Sequence, residues 1–232
     1  MKILFNADDF GLTNGVTDGI VKSHLNGVVK STTLMMNGLA VDYAIRQAQL
    51  YPTLKVGIHL VLTWGKPISN YTPALVDADG FFKYDSGYVY MPYPNLNQVE
   101  KEWESQIKAF IATGLTLHHI DSHHHIHGWE PLKNIVIKLA RKYNVPVRYA
   151  ESLKAYPDIL LTDTLYTGFY GEGISDQIFE KLKTYHVNSI EVMTHPAYVD
   201  EELSQVSSYI KKREKELEIL SNLIVPSWAT IN

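Results

Sequence analysis

The chain has 232 residues, 45% of them hydrophobic, with a net charge of −4 and no cysteine. That length and apolar content suit one compact domain, while the acidic balance argues against a nucleic-acid or anionic-membrane surface. Without cysteine, disulfides, thiolate metal sites and cysteine nucleophiles are all excluded.

In chain order, Ile3 to Phe5 reads as a short buried strand running into Asn6-Ala7-Asp8-Asp9-Phe10-Gly11. Its apolar run is too short for a signal segment and no stretch approaches the ~20 residues of a membrane span, which predicts a cytoplasmic protein. Val16, Ile20, Val21 and Leu25 keep helical spacing up to Asn26-Gly27. Ser31 to Met36 has strand character, Val41 to Leu50 helical character closed by Pro52, and Lys55 to Leu62 forms the next strand, carrying His59. This alternation predicts parallel βαβ units.

Residues 63–95 break the rhythm, with Trp64, Phe81, Phe82, Tyr84, Tyr88, Tyr90 and Tyr93 set among glycines and prolines. So many rings argue against disorder. They suit a lid that offers flat faces to sugars, a self-packed loop, or the subunit interface of a homodimer. Val99, Trp103, Ile107 and Phe110 then share a helix face, as do Leu132, Ile135, Val136 and Leu139. Pro146 to Tyr149 reads as a short strand with Arg148 in it, residues 158–173 as irregular, 178–182 as helix, and Ser189 to Met193 as a strand ending at Thr194-His195-Pro196. The segment Glu201 to Leu220 reads as one helix whose Lys-Lys-Arg-Glu-Lys-Glu run forms a solvated surface.

Six of the ten histidines lie between His118 and His127. Imidazole is a preferred ligand of zinc and its neighbours and titrates near neutral pH, so the cluster asks for a metal or acid–base reading. On a strand His119, Asp121 and His123 share one face, with His118, Ser122 and His124 on the other. A solvated loop that binds metal adventitiously is the competing reading. Ligands from elsewhere decide between them. Asp8 and Asp9, His59, Asp121 with His123, and His195 all sit at the ends of apolar strands, and parallel α/β folds gather such ends on one rim. An Asp/His/His ligand set with open positions describes a hydrolytic metal site.

Together Asn6-Ala7-Asp8-Asp9-Phe10-Gly11, Gly57-Ile58-His59-Leu60, His119-Ile120-Asp121-Ser122-His123-His124-His125 and Glu191-Val192-Met193-Thr194-His195-Pro196-Ala197 resemble the YdjC-like carbohydrate deacetylases. The likeness is greatest to those acting on chitooligosaccharides and runs from about residue 3 to about residue 200. The resemblance implies a single-domain α/β fold, a TIM-like (β/α) barrel that is irregular or has fewer than eight strands. It also implies a metal-dependent hydrolase removing acetyl groups from N-acetylglucosamine units of short chitin oligomers, such as chitobiose or its 6-phosphate. Carried onto this chain, Asp9, His59 and His123 match the metal ligands, Asp8 the catalytic base and His195 a second catalytic residue that protonates the leaving amine. The pairs His119/His123 and His123/His127 keep the alternative His-x-x-x-His spacing. Asp121 would orient a ligand imidazole from behind. Arg148 would meet a carboxylate or a substrate phosphate, and Trp64 and His127 are further candidates at the substrate. One divalent ion is expected: the resemblance implies magnesium, whereas the imidazole ligands favour zinc. The rival readings are a non-catalytic metal- or carbohydrate-binding protein and another metal-dependent barrel hydrolase or isomerase.

Overall fold

The computed structural model describes residues 1–232. Seven strands, β1 (Lys2–Phe10), β2 (Val29–Leu34), β3 (Lys55–Leu60), β4 (Ile120–Ser122), β5 (Thr164–Tyr166), β6 (Ser189–Thr194) and β7 (Thr230–Ile231), interleave with seven α-helices. The helices are α1 (Asn14–Asn26), α2 (Val41–Leu50), α3 (Leu96–Ala112), α4 (Lys133–Tyr143), α5 (Ile178–Leu182), α6 (Glu201–Val206) and α7 (Lys211–Leu220). All strand pairings are parallel, in the order β4-β3-β2-β1-β6-β5, with β7 alongside β1. The sheet curls into a half-barrel, an irregular form of the expected TIM-like architecture. Isolated parallel bridges from Ile120 to Val147 and from Val147 to Leu160 carry the pairing past β4.

The strands are buried almost throughout, as a parallel sheet covered by helices requires. A cluster of 49 buried apolar residues joins sheet and helices. Side-chain caps start the helices: Thr13 accepts from the Val16 amide, Asn95 from that of Gln98 and Asp200 from that of Leu203. Gly57 has no side chain for a packing reason, since a Cβ there would stand 2.6 Å from the His119 Nδ1.

Four expectations need correction. The first strand does not stop at Phe5 but continues to Phe10, carrying Asp8 and Asp9 within it. Pro146 to Tyr149 makes only single bridges at Val147, and β5 lies in the stretch expected to be irregular. The C-terminal segment is two helices, not one. Ser207 bonds its own neighbourhood there, with its hydroxyl donating to the Tyr209 carbonyl at 3.1 Å and accepting from the Tyr209 amide at 3.2 Å, a local alternative to the helical pattern. No helix is long and apolar enough to cross a membrane.

The aromatic segment is folded back on α3. Glu102 accepts from the Ile68 and Ser69 amides, Gln98 accepts from that of Ala74, and Tyr84, Tyr88 and Tyr93 crowd the Trp129 ring.

Candidate metal centre

The carboxyl ends of β1, β3, β4 and β6 open into a cavity of about 530 Å³ whose walls include Asp8, Asp9, His59, His123, His195 and Trp64. Successive strand residues normally face opposite sides, so Asp8 and Asp9 need a device to serve one site. Asp9 adopts φ 69°, and the pairing of β1 with β2 shifts register between Ala7 and Phe10. This bulge re-aims one carboxylate at a cost of about 1–3 kcal/mol in backbone strain.

Asp9 Oδ1 lies 3.1 Å from His123 Nδ1 and 3.4 Å from His59 Nε2. Ligand atoms held tetrahedrally at 2.0–2.2 Å from one ion stand roughly 3.4 Å apart, so the three residues fit a divalent metal. The surroundings fit as well. Asp121 Oδ1 pairs with His59 Nδ1 at 2.6 Å, leaving Nε2 facing Asp9, and Thr33 donates to the other Asp121 oxygen at 2.9 Å. Burial alone would lower the His59 pKa, yet the Asp121 carboxylate outweighs it and raises it to about 10. A field that so favours positive charge at this imidazole also favours a cation. The second oxygen of Asp9 accepts from Arg213 Nη2 at 2.7 Å, and this guanidinium, opposing burial, holds the carboxyl well below the ordinary carboxylate range.

Asp8 is clamped by the fork of Arg148, with Nη1 to Oδ2 at 2.7 Å and Nη2 to Oδ1 at 2.5 Å. Burial favours the neutral acid, but Arg148 wins and keeps Asp8 strongly acidic. The same guanidinium reaches Glu191 Oε1 and Asp121 Oδ2. Glu191, pushed by burial against the pull of Arg148, rises to about 7. His195 stands just past the end of β6, edge-on to the stacked Tyr170 and Tyr209 rings, its Nδ1 buried without a partner. Burial lowers its pKa to about 4 against the pull of Asp8 and Asp9.

The expected residues therefore converge, with one exception. Arg148 meets carboxylates, one of the two roles expected of it, fully buried among Asp8, Asp121 and Glu191. His127 is the exception: it is also fully buried, its Nδ1 paired with the Ser122 hydroxyl at 2.6 Å, and it takes no part in the cavity wall. His119, Asp121 and His123 do turn inward together, but His119 lies beneath, grouped with Asp121 and Glu191, and only His123 reaches Asp9. Sequence reasoning overlooked Arg213 and Glu216, placed on a supposedly solvated surface but 3% and 0% exposed. The signal was present: both lie on the helical stripe that also holds Leu217 and Leu220.

The model of the YdjC-like protein family matches residues 2–229. The chain belongs to the YdjC-like family. It is 57% identical to a carbohydrate deacetylase of Oceanobacillus iheyensis over 98% of this chain and 99% of that protein. It is 44% identical to one of Halalkalibacterium halodurans over the full length of both. A solved structure from Enterococcus faecalis V583, provisionally named a cellobiose-phosphate cleavage protein, superposes with a TM-score of 0.89 at 36% identity, covering 95% of this chain and 90% of that one.

Proposed function

We propose that this chain is a metal-dependent deacetylase that hydrolyses the N-acetyl group of N-acetylglucosamine units in short chitin oligosaccharides. One observation carries the reading: the Asp9, His59 and His123 triangle faces a sugar-sized cavity with Asp8 and His195 beside it. Kinship along the whole chain with proteins named carbohydrate deacetylases supports it. Trp64 and Tyr170 offer flat apolar faces for sugar rings, and Ser86 and Ser208 offer hydroxyls at the same wall.

Asp9, His59 and His123 would hold the divalent ion, which when bound supplies Lewis acidity toward water and the acetyl carbonyl. Asp8, kept ionised and aimed by Arg148, accepts a proton from the attacking water, and His195 delivers one to the leaving amine. The ring of His195 is neutral at pH 7, so the proton that Asp8 takes from water must pass across the shared cavity to His195 before it goes to the amine. Asp8 is then ionised again and His195 neutral again, and the proton lost by water is the one gained by the amine. A second reading has His195 perform both transfers. The Arg148 clamp favours it, because a carboxylate held so acidic is a weak base. Replacing Asp8 separates the two.

The test is acetate release from N,N′-diacetylchitobiose and its 6-phosphate. Metal-stripped protein is compared with protein reloaded with zinc, magnesium, manganese or cobalt, alongside His59→Ala. Metal-restored release that His59→Ala lacks supports the assignment and names the ion; no release with any bound ion overturns it.

A further inference from the structure

Helix α7 contributes a residue whose surroundings serve the candidate acid. Glu216 is fully buried and makes no direct ion pair. One carboxylate oxygen accepts from the His195 amide at 2.5 Å, the other from the Tyr209 hydroxyl at 2.6 Å. Burying a carboxylate against neutral donors costs free energy that a neutral residue of similar shape would avoid, unless both acceptor oxygens are needed.

They are needed for His195. Its imidazole Nδ1 has no hydrogen-bond partner, so nothing polar on the protein orients the ring through that atom. The ring instead packs edge-on against Tyr170 and Tyr209, at 5.6 and 5.8 Å between centroids. Tyr170 is stacked on Tyr209 at 4.0 Å and 17°, and the Tyr209 hydroxyl ends on Glu216 while accepting from the Gly171 amide at 3.2 Å. The backbone of His195 and the aromatic pair beside its ring are thus both tied to one side chain. We infer that Glu216 is the positioning residue of the acid step, fixing His195 through its amide and through the Tyr209–Tyr170 stack. This rests on the proposed deacetylase reading, and on His195 as the acid.

A glutamine has one acceptor oxygen where glutamate has two, so Glu216→Gln cannot accept from both the His195 amide and the Tyr209 hydroxyl; it loses one of them or reverses the Tyr209 contact, whose oxygen already accepts from the Gly171 amide. Tyr209→Phe removes one of the two contacts while keeping the ring, and serves should Glu216→Gln fold poorly. Activity is measured on N,N′-diacetylchitobiose, whose amine needs a proton to leave, and on 4-nitrophenyl acetate, whose phenolate does not. Zinc affinity of each variant is measured by titration. A positioning role predicts that Glu216→Gln lowers kcat on the amide about 100-fold. KM, zinc affinity and ester turnover should stay within about threefold, and Tyr209→Phe should show the same pattern more weakly. Equal losses on both substrates, weakened zinc binding, or an unchanged kcat on the amide would overturn the inference. His195→Ala is the control. If it is selective for the amide while Glu216→Gln is not, only the role of Glu216 falls; if it is unselective, the acid assignment falls and takes this inference with it.

Discussion

Replacing Arg148 with glutamine tests how the buried charge beneath the cavity is balanced. The guanidinium donates twice to Asp8 and, through Nε at 2.9 Å, to Glu191, and it stands 2.9 Å from Asp121 Oδ2. All four side chains are 3% exposed or less. Removing one partner of a buried pair costs about 3–5 kcal/mol because the remaining charge stays desolvated. Three carboxylates lose their common cation here, which places Arg148→Gln near the top of that range, about 5 kcal/mol. For a chain of this size that is a fall of about 10–20 °C in Tm. The pH dependence gives a second check. In the variant burial is no longer opposed by Arg148 at Asp8 and Glu191, so their folded-state pKa values rise above the unfolded ones and the penalty is complete at high pH and shrinks as pH falls toward 4.5. Thermal unfolding of metal-stripped protein followed by circular dichroism at pH 7.5 and 5.5 measures both. Arg148→Lys, which keeps the charge and loses the fork, should lose less. A loss under about 1 kcal/mol at pH 7.5, or one independent of pH, would refute the reasoning.

Two further outcomes are expected. Asp121→Asn, which weakens the carboxylate partner of His59 Nδ1, should reduce zinc affinity about 10–100-fold by competitive titration while the fold survives. Asp8→Asn should abolish measurable acetate release with zinc still bound if Asp8 is the base; retained activity would move both proton transfers to His195.

The site residues were legible because a parallel βαβ pattern gathers the carboxyl ends of its strands on one rim, although the first strand runs further than its apolar residues indicate: Asp8 and Asp9 lie near the end of β1, His59 near that of β3 and His123 just past β4. The histidine run was legible as a cluster but less so residue by residue. His124 and His125 adopt φ 53° and 57°, and these left-handed turns end β4 after three residues. Arg148 sits in a short segment whose sequence carries no mark of a three-carboxylate neighbourhood, since Asp8, Asp121 and Glu191 come from three different strands. The break at Ser207 to Tyr209 was hidden because serine hydroxyls compete with a helix only where tertiary contacts let them. Arg213 and Glu216 were misread through their neighbours, as Lys211, Glu214 and Lys215 do make a largely solvated surface.

The bond from Arg213 to Asp9 spans 204 residues of chain. During synthesis from the amino end, Asp9 is therefore made long before the guanidinium that will hold its second oxygen. A nascent chain stopped short of α7 can pair most of its strands, yet it presents the Asp9 carboxylate without that restraint. Such a chain also lacks Glu216 beneath His195. The centre is thus among the last parts of the molecule to be finished, and the order of translation itself separates building the scaffold from arming it.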